Sequence, residues 1–151
     1  MLWYIVDGWN IINKVLPLKT SLSPPQELIS YIRRNRLTGS RNNKVTVVFD
    51  GKEWKDIYER EFEIIFTGEI SADEVIKKKV ERYKHKKQIV VISDDRQIIE
   101  FIKREGATSQ KIEEFVRKKK KNKKRNIFEK EIDEALQNQI TEELKKIWLN
   151  E

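Results

Sequence analysis

Apolar residues follow two rhythms along this chain. Short, mostly apolar runs at Leu2–Val6, Val45–Phe49, Phe62–Phe66 and Gln88–Ile92 are rich in β-branched and aromatic side chains, which predicts buried strands. Between them apolar positions recur at helical spacing. Trp9 to Val15 suits a short helix, and Pro17 to Pro25 is turn-rich. Ser23 before Pro24-Pro25 opens a helix carrying Leu28, Ile29 and Ile32 to about Asn35. Ser71 and Glu74 have capping-box spacing ahead of Val75, Ile76, Val80 and Tyr83. Ser93-Asp94-Asp95 starts a helix with Ile98, Ile99 and Ile102, and Gly106 is placed to close it. A short fifth strand is expected around Ala107-Thr108, then a helix over Lys111–Lys121. Ile127–Leu149 reads as a long amphipathic helix, with Ile132, Leu136, Ile140 and Leu144 at steps of four.

Strands alternating with helices require crossover connections. The fold class is therefore α/β, a three-layer arrangement with a mostly parallel central sheet of four to five strands, helices on both faces and a C-terminal amphipathic helix. Its 151 residues suit one domain. The expected division is a body at 1–115, a basic arm at 116–126, and a helix at 127–151 docked on the body or a partner.

Charge sharpens this division. Lys and Arg number 32 against 25 Asp and Glu, a net charge of +7. Nine basic and two acidic residues between Lys111 and Arg125 hold the whole excess, and the remaining chain balances at 23 of each sign. With no cysteine and one histidine, disulfide scaffolds, thiolate zinc sites, Fe–S clusters and thiol nucleophiles are excluded. No apolar stretch approaches the ~20 residues of a membrane span, and Met1 leads into a strand rather than a signal peptide, so a cytoplasmic location is expected.

Ligands of open α/β sheets bind at the carboxyl ends of the strands. Asp7, Asp50 and Asp94-Asp95 each follow a predicted strand, and Asp73 lies in the first turn of the helix after another. In a parallel sheet these carboxylates meet at one edge, where like charges repel unless a cation intervenes. Oxygen donors without His or Cys suit Mg²⁺ or Mn²⁺, as one or two ions. Each acid also has a plain alternative: Asp50-Gly51 as a turn, Asp73 and Glu74 as complements to a helix dipole, Asp94 as an N-cap. Asn10, three residues after Asp7, can reach its carboxylate or a substrate phosphate, and Ser93 can orient the neighbouring acids.

The segments Tyr4–Asn10, Val47–Gly51, Ser71–Glu74 and Val91–Asp94 resemble, in order and spacing, the motifs of NYN domains in the PIN-like nuclease superfamily. The likeness spans about residues 2–115 and is greatest to the YacP-like branch, small bacterial endoribonucleases associated with translated mRNA and the ribosome. It implies a metal-dependent endoribonuclease using Asp7, Asp50, Asp73 and Asp94 as catalytic and metal-binding acids, with Asn10 as the motif asparagine. Trp9 stands where an aromatic residue, often tyrosine, is usual. Asp95 is not a firm part of the pattern, and its share in the metal site is left open. Hydrolysis by water would leave 5′-phosphate and 3′-hydroxyl ends, the metal supplying the water and neutralising developing charge.

An acidic edge repels RNA unless cations flank it. Arg33–Lys44 has five basic and no acidic residues, and Lys77–Lys87 has seven against one. Arg33, Arg34, Lys77 and Lys78 are candidate RNA contacts. So is the run Arg117, Lys118, Lys119, Lys120, Lys121, Lys123, Lys124 and Arg125, since such cations give salt-sensitive affinity for phosphates. A solvated surface is the alternative for Lys77–Lys87, where His85 is expected to be exposed. Trp54 and Tyr58 suit either base stacking or core packing. The expected partners are mRNA and the ribosome, with the chain a monomer or homodimer and no nucleotide cofactor. The rival reading is a non-catalytic RNA- or ribosome-binding module whose acids are turn residues. A receiver domain or an Asp-x-Asp phosphatase is disfavoured by the lone Asp7, and a P-loop NTPase by the absence of its glycine-lysine motif. Among PIN-like proteins, a toxin nuclease or a structure-specific DNA nuclease is also conceivable, the second disfavoured by the lack of insertions for gripping a junction.

Overall fold

β1 (Trp3–Asp7) is buried at every position, and this places it at the centre of the molecule. The computed structural model describes residues 1–55 and 57–117. After β1 come α1 (Gly8–Lys14), α2 (Leu16–Lys19), α3 (Pro24–Arg34), β2 (Lys44–Phe49), β3 (Glu63–Phe66), α4 (Ala72–Arg82), β4 (Ile89–Ile92), α5 (Arg96–Glu105) and β5 (Thr108–Gln110). A further helix, α6, covers 112–117. The five strands form one sheet in the order β3-β2-β1-β4-β5, and every pairing is parallel. The expected sheet is confirmed at its upper strand number.

Alternation along β1 divides the core. Tyr4 and Val6 pack with Ile11, Leu28, Ile32 and Phe115, beneath α1, α3 and α6. Trp3 and Ile5 pack with Ile76, Val80, Ile98 and Ile102, beneath α4 and α5. These are the two helical layers. A run such as Val45–Phe49 tolerates its single hydroxyl because Thr46 is satisfied on both sides: it accepts from Trp3 Nε1 at 2.8 Å and donates to Glu63 Oε1 at 2.9 Å.

Two elements depart from the sequence expectation. The turn-rich segment at Pro17 contains α2, a single helical turn whose Leu18 is buried; proline fits the first turn of a helix, where its missing N–H is no loss. β5 lies one residue later than expected, at Thr108–Gln110, because Gly106 takes φ +87° as the α5 C-cap and Ala107 completes the turn. The parallel crossover from β2 to β3 is made without a regular helix or strand among its described residues. It is fastened instead by Trp9 Nε1 to Asp50 O at 3.0 Å, Tyr58 N to Gln26 Oε1 at 2.9 Å, and an Arg33–Glu59 ion pair. The expected arm beyond Arg117 and the helix at 127–149 lie outside the described residues.

Candidate active site

Parallel strands end on the same side, so Asp7 at the end of β1 and Asp50 just after β2 open onto one edge. Gly8 brings them close. α1 begins so near the end of β2 that a Cβ at Gly8 would lie 2.4 Å from Phe49 Cε1. Asp50 is exposed and accepts from Thr67 Oγ1 at 3.4 Å, while Gly51 turns the chain away at φ +92° and bridges Gly68. Asp73 sits in the first turn of α4, whose start is held by Ser71 Oγ accepting from Glu74 N at 3.2 Å. Glu74 is thus part of the cap, as its spacing suggested.

The two adjacent aspartates after β4 separate. Asp95, not Asp94, is the N-cap of α5, its Oδ1 accepting from Gln97 N at 2.8 Å and Ile98 N at 3.4 Å. Ser93 is buried, and its Oγ accepts from Asp95 N at 3.1 Å. Asp95 also lies near Asp73 and helps to raise its carboxyl. Asp94 faces α1 and α6: Oδ1 accepts from Ile112 N at 2.9 Å, and Oδ2 is ion-paired with Lys14. Asp7, Asp50, Asp73 and Asp95 thus act on one another electrostatically, while Asp94, the fourth acid of the sequence expectation, is engaged by Lys14 and Ile112 N. Asp94 is drawn to Lys14 and the start of α6, while Asp95 is left to cap α5.

Asp7 is 9% exposed. Burial, with Asp73 and Asp50 nearby, pushes its carboxyl up to about 6; the Asn10 side chain and backbone N–H oppose the rise, in a geometry short of a regular cap bond. Asp73 is raised as well, by burial and then by Asp95, with Lys77 pulling the other way. Among the described residues Asp7 makes no ion pair, and Lys77 is a cation acting on Asp73. Among the described residues no three acidic or histidine side chains form a ready-made cation cage. Mg²⁺ keeps several waters and takes only one or two carboxylates directly, so an open set of oxygen donors under mutual repulsion fits that ion.

A family model, the YacP-like NYN domain, matches residues 4–150. The chain belongs to that family. Among solved structures, Rae1 (YacP) from Bacillus subtilis superposes with a TM-score of 0.66 at 26% identity, covering 98% of this chain and 92% of that one. A single-site mutant of the same protein gives 0.65 at 26% identity, over 95% and 89%. No match was found among curated protein sequences. The five-stranded parallel sheet with flanking helices is accordingly the PIN-like fold of NYN domains, a nuclease-type fold.

Within this NYN domain the predicted cations divide. Lys77 faces Asp73 across one helical turn and lies 5.7 Å from the Phe101 ring. Lys78, with Lys79 and Arg82, edges a cavity of about 420 Å³ floored by Trp3 and Ile65. Arg33 is held by Glu59 and Arg34 lies 3.3 Å from Glu27, so both are paired within the fold. Arg117 lies 3.1 Å from Glu113 on α6. Lys118, Lys119, Lys120, Lys121, Lys123, Lys124 and Arg125 lie outside the described residues. Trp9 packs edge-on against Phe49 and 5.9 Å from Trp54, which is 38% exposed; Tyr58 is 77% exposed. Neither Trp54 nor Tyr58 is core. His85 is exposed, against Tyr83. Sequence reasoning missed Lys14 as the partner of Asp94, and no local signal links residues 80 positions apart.

Proposed function

We propose that this protein is a divalent-metal-dependent endoribonuclease that hydrolyses RNA phosphodiester bonds in mRNA decay or processing at the ribosome, in the cytoplasm. The observation that carries the reading is Asp7, buried at the end of the central strand, its carboxyl raised to about 6 beside Asp73 and Asp50 in a YacP-like NYN domain. Asp7, Asp50 and Asp73 would hold Mg²⁺ or Mn²⁺, with Asp95 completing the set. A bound divalent ion supplies an activated water and neutralises charge on the phosphate.

The chain's own part is positioning. Asn10 holds the Asp7 carboxylate in place from the first turn of α1. Ser93 fixes the Asp95 backbone, and Asp95 would add a further oxygen donor beside Asp73. Lys77, beside Asp73, offers a cation to an incoming phosphate. Body 1–115 would carry this site, arm 116–126 would add affinity for RNA, and helix 127–151 would dock on the body or a partner.

The test is hydrolysis of an RNA oligonucleotide with and without Mg²⁺ or Mn²⁺, followed by product-end analysis. The expected products carry 5′-phosphate and 3′-hydroxyl ends, and Asp7→Asn abolishes them. Cyclic 2′,3′-phosphate ends, or metal-independent cleavage, would overturn the reading. RNA binding without hydrolysis by the parent protein would favour a non-catalytic module.

A further inference from the structure

At the amino end of the sheet, opposite the acids, lies a second concentration of charge. Between α3 and β2 the chain turns through residues 36–43 and encloses, with Phe62, a polar cavity of about 360 Å³ whose lining includes Arg33, Arg36, Arg41, Ser40 and Asn43. The turn is firmly built. Leu37 N donates to Ile32 O, Gly39 N to Arg36 O and Asn43 N to Ser40 O, while the Asn43 side chain donates to Thr38 O and accepts from Leu2 N. Within it Arg36 takes φ +48°, the one non-glycine residue at positive φ among the described residues. This is the residue after the α3 C-cap, where Arg36 N donates to Arg33 O, so the left-handed conformation ends the helix and sets the course of the turn.

The three arginines are differently prepared. Arg33 is anchored: its guanidinium pairs with Glu59, whose side chain is 1% exposed, and lies 5.4 Å from the Phe62 ring centroid. A guanidinium has five donors, so this anchoring leaves some of them for the cavity. Arg36 and Arg41 make no ion pair among the described residues, and Glu61 is the acid sharing their lining.

We propose that this cavity is a phosphate-binding site that grips the RNA backbone at a point separate from the acidic edge. Guanidinium forks match phosphate oxygens, the Ser40 hydroxyl and Asn43 amide belong to the same lining, and the volume falls in the range of small-ligand sites. β2 runs between the two regions from Lys44 to Phe49. At about 3.3 Å per residue the regions are ~17 Å apart, so one phosphate cannot serve both and a longer RNA can. The choice of RNA as the polyanion rests on the ribonuclease reading; the site itself does not.

The test measures RNA affinity of the full-length protein by fluorescence anisotropy, with an oligonucleotide of about twenty nucleotides over a range of salt, against the double variant Arg36→Gly/Arg41→Gln. Glycine is at ease at positive φ, so this variant keeps or raises the melting temperature while losing both cations. The expected result is about tenfold weaker binding near 0.1 M salt and a log–log salt slope shallower by about 1.4, two phosphate contacts at ~0.7 each. Parental affinity and slope in the variant would overturn the proposal. A parent that binds RNA through these residues without hydrolysing it would refute the ribonuclease reading and leave this site standing. A parent that does not bind RNA would end both.

Discussion

The two ends of the sheet each bury a carboxylate, under opposite electrostatic conditions. Asp7 at the carboxyl end sits among other acids and is pushed up to about 6. Glu59 at the amino end is enclosed by partners: the Arg33 guanidinium, Glu61 N at 2.6 Å and Phe62 N at 3.1 Å. A buried charge is tolerable when paired and hydrogen-bonded, and expensive otherwise. The satisfied carboxylate fastens the β2–β3 crossover to α3. Asp7, hydrogen-bonded by Asn10 yet set among acids, makes no ion pair among the described residues, as carboxylates awaiting a cation do.

The largest expected effect concerns which acids belong to the uncompensated group. Asp95→Asn should lower kcat/KM for RNA at least about 100-fold, ~3 kcal/mol of transition-state stabilisation. Asp94→Asn should lower it less than about tenfold and act mainly on stability, because its carboxylate braces Lys14 and α6. Steady-state kinetics on the two variants would decide, and the reverse ranking would return Asp94 to the metal site.

Glu59→Ala should destabilise the protein by about 2–3 kcal/mol in urea unfolding, somewhat below the value for a fully buried pair because Arg33 is half exposed. Asp7→Asn should do the opposite. A carboxyl raised in the folded state binds its proton more tightly there than in the unfolded chain. The folded protein therefore loses stability as pH rises from about 4 to 6, and the full penalty persists at neutral pH. Removing the charge should stabilise the metal-free protein by about 1–3 kcal/mol at pH 7 and by little below pH 4, as urea titrations at the two pH values would show. A destabilised Asp7→Asn at pH 7 would mean that the two ends are alike.

Much of this was legible locally. Apolar runs and i, i+4 spacing are properties of neighbouring residues, so β1–β4 and α3–α5 fall where the pattern puts them, and Ser71 caps as its spacing predicts. The acids Asp7, Asp50 and Asp73 were visible because strand ends in a parallel sheet share one edge. Asp94 and Asp95 were not separable, since both can cap and only the approach of α6 and Lys14 decides which one they engage. The segment Arg33–Lys44 read as a uniform cationic stretch. In the folded chain Arg33 and Arg34 are paired with Glu59 and Glu27, while Arg36 and Arg41 line a cavity.

The sequence by itself determined the layers, the edge on which the acids meet and the family to which the chain belongs, because these follow from periodicity, strand ends and motif spacing. The strand order β3-β2-β1-β4-β5, the different partners of Asp94 and Asp95, and the contrast between Glu59 beside Arg33 and Asp7 among acids were decided only by tertiary structure. The reason is physical: the charge state of a carboxylate and the partner it takes depend on groups many residues away, brought near by packing and invisible to any local window.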